Sequence, residues 1–270
     1  MNQKIDEDIA KNGFLSKHIT QQTGMFNEDN KDFFEISYEL NRLCHEHKYK
    51  ANVKNDQHVS IYLMSLYLRV LDLFASIIIL TEKGLYKDAG ILLRTMFELT
   101  VYMKKTSVDE SFLEKSHEAH LLNKHRMLNA IINSSNEKIK KSFPIELISE
   151  SRTAIEQSLN MKRIEDLKSI NIEVVAKEKL VNLEKEYIEI FRFFSNETHS
   201  GYRSIHDYIA FENNLASEFI LEHPKETGKY ILKTNSVLLV YCADFIVEKF
   251  RIEHSDYLKL RQKFELLLVD

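Results

Sequence analysis

The sequence of 270 residues predicts an all-α protein, an antiparallel multi-helix bundle, on three observations. Apolar residues recur at helical intervals along nearly every long segment, with no convincing strand alternation. Six Gly and two Pro (Pro144 and Pro224) are too few to punctuate a strand-rich chain. Turn signals also lie far apart, which leaves room for long helices.

Taken in order, residues 1–29 read as a loosely organised lead-in around Gly13 and Gly24, and 30–270 as a single helical domain. A first helix is expected over about 31–48 ("KDFFEISYELNRLCHEHK"), with Asp29 or Asn30 as its N-cap. After the polar "YKANVKND" comes a long helix at 57–82, closed by Gly84 in the left-handed C′ conformation. The next helix, 86–105, follows so closely that the pair forms an antiparallel hairpin. A more polar helix spans 109–134 until "SSNEK" interrupts it, and Pro144 suits the first turn of a helix at 144–160. Residues 161–178 read as a short helix plus loop. Another helix covers about 179–199 and continues, past a break at Gly201, to 211. "ENN" and "EHPKETG" precede closing helices at about 228–251 and 255–268. The middle, about 107–178, is more charged than its flanks and reads as a helical insertion on the bundle core.

Composition narrows the function. A formal charge of −4 gives no global basic field, so any nucleic-acid site has to be a local pocket. Two cysteines, Cys44 and Cys242, are too few for a disulfide framework or a zinc site. The opening "MNQKIDEDIAKNG" lacks the basic-then-apolar pattern of a signal peptide. "IYLMSLYLRVLDLFASIIIL" (61–80) has the length of a membrane span, but Arg69 and Asp72 sit at its middle. Each costs roughly 2.5–3.5 kcal/mol in lipid, so a core helix, a cytoplasmic protein and no membrane partner are expected. No Gly-rich phosphate loop, nucleophile elbow or dinucleotide fingerprint occurs, and no cofactor is expected. Glu114, His117, His120 and His125 share one helix, and Glu114-x-x-His117 is half of a di-iron pattern. No second Glu-x-x-His completes it, so no metal is expected.

Two features suggest chemistry. In the 57–105 hairpin, Arg94 and Glu98 interrupt an otherwise apolar helix four residues apart, and Arg69 and Asp72 interrupt the helix before it. For a turn centred on Lys83–Gly84, residues whose numbers add to about 167 lie at equal height. That pairs Asp72 with Arg94 and Arg69 with Glu98 across the interface. Such a quartet either fixes helix docking or lines a cleft in which Arg grips an anion and Glu orients it. The second feature is "FRFFSNETHSGYRSIH" (191–206). Arg192 and His199, seven apart on a helix, point nearly the same way with Asn196 between them. Phe191, Phe194 and Tyr187 form the neighbouring stripe that packs inward. A His near neutrality, a permanent cation and an amide suffice for metal-independent phosphodiester chemistry, His as acid or base and Arg against the phosphate. Arg203 and His206 extend the polar face if the helix runs on past Gly201, whereas a break there rotates them elsewhere. A solvated helix face explains the same residues without chemistry.

Arg192-x6-His199 resembles the Arg-x4–6-His signature of the HEPN helical superfamily. "ILLRTMFELTVYMKK" is similar to the "LLR-x3-E" helix of a bacterial family known only as a domain of unknown function, which also has a later Ser-x3-His element, here "SNETH" (195–199). The resemblance covers about 57–105 and 187–206. It implies a helical bundle, often dimeric, whose HEPN members include metal-independent RNases of toxin and anti-phage systems. It assigns the Arg to Arg192, the His to His199 and the interior polar residue to Asn196. The position after the Arg, usually polar in active HEPN nucleases, is Phe193 here.

The expected function is therefore a HEPN-like effector that cleaves or binds RNA, in a defence or toxin setting with a possible partner protein. His199 is its acid or base, Arg192 its phosphate clamp, and Arg94 with Glu98 its supporting electrostatics. A homodimer would concentrate positive charge that one acidic chain lacks. The alternatives are a non-catalytic interaction or sensor module whose buried charges set helix docking, and a small-anion receptor using Arg69 and Arg94.

Overall fold

The computed structural model describes residues 11, 17–159, 167–198, 208–212, 215–219 and 225–269. It is an all-α fold with helices α1 (Lys17–Asp29), α2 (Lys31–Lys50), α3 (His58–Glu82) and α4 (Tyr86–Val108). These are followed by α5 (Phe112–Ile132), α6 (Glu137–Ser142), α7 (Ile145–Ser158) and α8 (Ile172–Lys177). Glu184–Glu186, a π-helical turn Tyr187–Arg192 and Phe193–Thr198 run together as α9. A small hairpin of β1 (Ile209–Glu212) and β2 (Leu215–Phe219) precedes α10 (Lys225–Phe250) and α11 (Ser255–Val269). The chain divides into two compact units, Met1–Met103 with Leu183–Asp270, and Lys104–Asn182.

In the first unit, α10 packs against both α3 and α2, and α11 against α2. Leu63, Tyr67, Leu71, Phe74 and Ile77 of α3 and Ile231, Leu239, Ala243 and Ile246 of α10 are all buried in this core. By length and composition α3 and α10 could each cross a membrane; just over half of each apolar window is buried in the protein, as in core helices. Gly84, at φ 72°, ends α3 in a Schellman motif: Leu85 N–H donates to Leu80 O and Gly84 N–H to Thr81 O. Asn30 stands at the N-cap position of α2, but its side chain donates backward to Phe26 O at 2.9 Å, tying off α1 instead.

A polar chain threads this core. The Tyr67 hydroxyl lies 2.9 Å from His47 Nδ1, His47 Nε2 lies 2.8 Å from His254 Nδ1, and His254 Nε2 faces the Glu46 carboxylate at 3.3 Å. Donors and acceptors can alternate along it with every ring neutral, which is how imidazoles persist in an apolar interior. Burial pushes the His47 pKa down to about 4, and lowers that of His254 as well. Cys44 and Cys242 are buried free thiols whose pKa values burial pushes up to about 12.

In the second unit, α5 packs on α7 around Leu128, Ile148, Ile155 and Leu159. His125 is buried and bonded to Glu156 at 3.0 Å. Asn136 and Asn171 cap α6 and α8 by accepting from Lys138 N–H and Glu173 N–H.

Three expectations about elements need correction. The lead-in contains a helix, α1, with Phe26 buried. The helix expected from 179 begins at Glu184, because residues 178–183 turn through Asn182 at φ 53°. No helix extends to 211: residues 209–212 pair antiparallel with 215–219, with a register shift between Ala210 and Phe211. Alternating Ile209 and Phe211, then Leu215 and Phe219, suit a pair of short strands, a signal outweighed in the sequence by the helical run before them.

Candidate functional site

The site is built where α4 meets α9. Gly90 opens it: a Cβ there would lie 2.3 Å from the Phe194 ring, so the glycine lets the buried Phe194 sit directly on α4. One turn further along α4, Arg94 reaches the same helix. Its Nε donates to Ser195 Oγ at 3.2 Å, and its guanidinium lies over the Phe191 ring, 4.0 Å from the centroid. Its Nη1 pairs with Glu98 Oε1 at 3.1 Å. Ser195 Oγ in turn donates to Phe191 O, and Phe191 stacks on Tyr187 at 5.1 Å. Arg94 is therefore a three-way clamp, with its side chain only 16% exposed.

Phe191 and Ser195, four residues apart, share the face of α9 that meets Arg94. The π turn at Tyr187–Arg192 inserts a residue relative to an α-helix and rotates what precedes it. Tyr187, Ile190 and Phe194 still turn inward, while Arg192 and Phe193 stay exposed. Burial raises the Glu98 pKa above the usual carboxylate value, and the neighbouring Arg94 charge pulls it back. On the other side of α9, Phe193 and Tyr230 line an open groove of about 540 Å3 with Glu189, Glu226 and Thr227, and Tyr230 donates to Glu189 O.

The expected quartet across the α3–α4 hairpin does not form. Arg69 pairs with Asp72 on its own helix, and Arg94 with Glu98 on its own. Equal height along a hairpin does not make a contact; azimuth about each helix axis decides it. Arg69 and Asp72 fall on the exposed face of α3, their side chains 56% and 63% exposed, whereas Arg94 faces α9. The two arginines thus sit in separate intrahelical pairs rather than offering two free cations to one anion. Arg192 is exposed on α9, and Asn196 lies on that helix with its side chain outside the description. His199, Arg203 and His206 fall outside the described residues. Among the described residues no three His, Cys, Asp or Glu side chains gather as a metal site; Glu114, His117 and His120 are exposed along α5.

Three contacts of the site are not legible in the sequence: Ser195 shows only as the first letter of "SNETH", Gly90 as a glycine in an apolar helix, and Phe191 as part of the inward stripe with no sign of the guanidinium over its ring. What the structure adds is that the Arg and Glu of "LLRTMFE" and the Ser of "SNETH" meet in space.

Residues 60–218, more than half of the chain, match the profile of a family described as of unknown function (DUF5677). That span includes all but the first two residues of α3, all of α4, and Arg94, Glu98 and Ser195. No curated protein and no solved structure matches the chain.

Proposed function

This chain belongs to the family of unknown function DUF5677, and from that premise we propose that it is a HEPN-like effector that cleaves or binds RNA without a metal ion. The observation that supports this reading is the clamp. Arg94, steadied by Glu98, holds α9 through Ser195 and Phe191, and Arg192 is exposed on the same helix, seven residues before His199 in the sequence. Arg94, Glu98 and Ser195 are positioning residues here. His199 removes the 2′-hydroxyl proton as that oxygen attacks the adjacent phosphorus, and the P–O5′ bond breaks. The products are a 2′,3′-cyclic phosphate and a 5′-hydroxyl, whose oxygen takes up a proton as it leaves. Arg192 stabilises the charge that builds on the phosphoryl oxygens, Asn196 positions the scissile group, and Arg203 and His206 supply further contacts to the RNA strand. The exposed Phe193, in place of a polar residue after the Arg, offers a stacking surface for an unpaired base.

The test is cleavage of single-stranded RNA by the purified chain in chelator, with growth arrest on induced expression as the cellular readout. His199→Ala is expected to lower cleavage by about 10²-fold or more with the melting temperature unchanged. A cleaving wild type matched by His199→Ala would overturn the assignment. A second reading, a non-catalytic helix-docking module, is favoured by how far Arg94 is committed to structure: its side chain is mostly buried and held by Glu98, Ser195 and the Phe191 ring. It predicts that His199→Ala is silent in both assays while Arg94→Ala lowers the melting temperature.

A further inference from the structure

The exposed face of α3 is a near palindrome. Ile61, Ser65, Leu68, Asp72, Ser76 and Ile79 recur at intervals of three or four and so form one stripe, with Arg69 at its edge. Ile61, Leu68 and Ile79 are 39%, 41% and 56% exposed, large apolar side chains on a helix whose opposite face is core. The order along the stripe is apolar, small, apolar with a cation, anion, small, apolar. Reversed about Val70–Leu71, isoleucine falls beside isoleucine, serine on serine and Arg69 on Asp72, and only Leu68 lacks an exposed counterpart.

We infer that this stripe is the contact face of a symmetric dimer, in which α3 packs antiparallel against α3 of a second copy. A two-fold axis beside Val70–Leu71 sets Ile61 against the other copy's Ile79, Ser65 against its Ser76, and Arg69 against its Asp72. An isologous contact requires this self-complementarity: if one residue meets another, the reverse contact follows. Arg69 and Asp72 already pair within each chain. At the axis the two pairs close into a ring of four alternating charges with no net charge. Ser65 and Ser76 direct their hydroxyls into their own helix, to Ile61 O and Asp72 O, and present small surfaces where the backbones approach. The stripe runs about 27 Å, long enough for a helix pair crossing at about 20°. The central ion pair argues for a protein partner over lipid, which would have to bury both charges without complementary ones. This face involves none of the residues given roles on RNA.

Sedimentation velocity across a dilution series of the full chain tests the proposal. Wild type is expected to dimerise reversibly. Arg69→Glu or Asp72→Arg alone places like charges across the axis and shifts the chain to monomer. The double swap restores complementarity and the dimer. Circular dichroism checks folding, which these exposed positions should leave intact. A second variant, Ser65→Cys with Ser76→Cys, is expected to give a covalent dimer on mild oxidation. Within one chain those positions lie about 16 Å apart along the helix, too far for an internal bond. A wild type monomeric throughout, a dimer indifferent to both single swaps, or a monomer that floats with phosphatidylcholine–phosphatidylglycerol vesicles would each overturn it.

Discussion

Replacing Arg94 by alanine removes an ion pair, a hydrogen bond to Ser195 and a cation over Phe191 in one step. It also leaves Glu98 half-buried without its counter-charge. The expected loss is about 2 kcal/mol in stability, against about 1 kcal/mol for Ser195→Ala, measured by urea unfolding. The double variant should lose less than the sum of the two, since both remove one contact. Arg94→Lys should fail to rescue, because an ammonium cannot reach Ser195, Glu98 and the ring face together. The sign of the pH effect follows from Glu98. Its folded pKa is raised by burial, so the neutral form suits the site and stability declines as pH rises through that pKa. Arg94 opposes that decline. The Arg94→Ala penalty should therefore be smallest in acid, where Glu98 is protonated, and grow as pH rises through its raised pKa.

Single helices obey two constraints at once, their own periodicity and the shape of what they pack on. Gly90→Ala satisfies the first, since alanine is the better helix former, and violates the second by placing a methyl inside the Phe194 ring. The net expectation is a loss of about 1–3 kcal/mol, with the fluorescence or NMR signals of α9 shifted along with the melting temperature. A gain in stability would show that α9 yields easily. These cases also show what the sequence could and could not reveal. Helix ends set by local chemistry, such as Gly84 after α3, were legible because one residue's backbone freedom decides them. The anomaly of Arg94 and Glu98 was legible too, since charges in an apolar helix stand out. Their partners were not. Contact across helices depends on rotation about each axis, which residue numbers leave free, and the π turn at Tyr187–Arg192 shifts that rotation with no signature in composition. The β1–β2 hairpin was hidden because strands of four and five residues cannot compete with long helical runs in a periodicity count.

At the scale of the molecule, acid should unfold the protein through its buried imidazoles. His47 is held near pKa 4 against a usual 6.5 by burial and by the nearby His254 and Lys50, with Glu46 pulling the other way; His254 is lowered for the same leading reason. The unfolded chain then binds more protons than the folded one in that window. Stability is complete above about pH 6.5 and falls as pH drops toward about 4. Stepped-pH thermal melts check the slope; a flat profile between these values would contradict the neutral Tyr67–His47–His254 chain.

The two sequestered sulfhydryls make the protein its own stopwatch. Cys44 and Cys242 are shielded from solvent and hold their protons far into the alkaline range, so alkylating reagents meet almost no thiolate while the chain is closed. Uptake of iodoacetamide at neutral pH should then be paced by openings that release α2 or α10, and two rates would expose helices that detach separately.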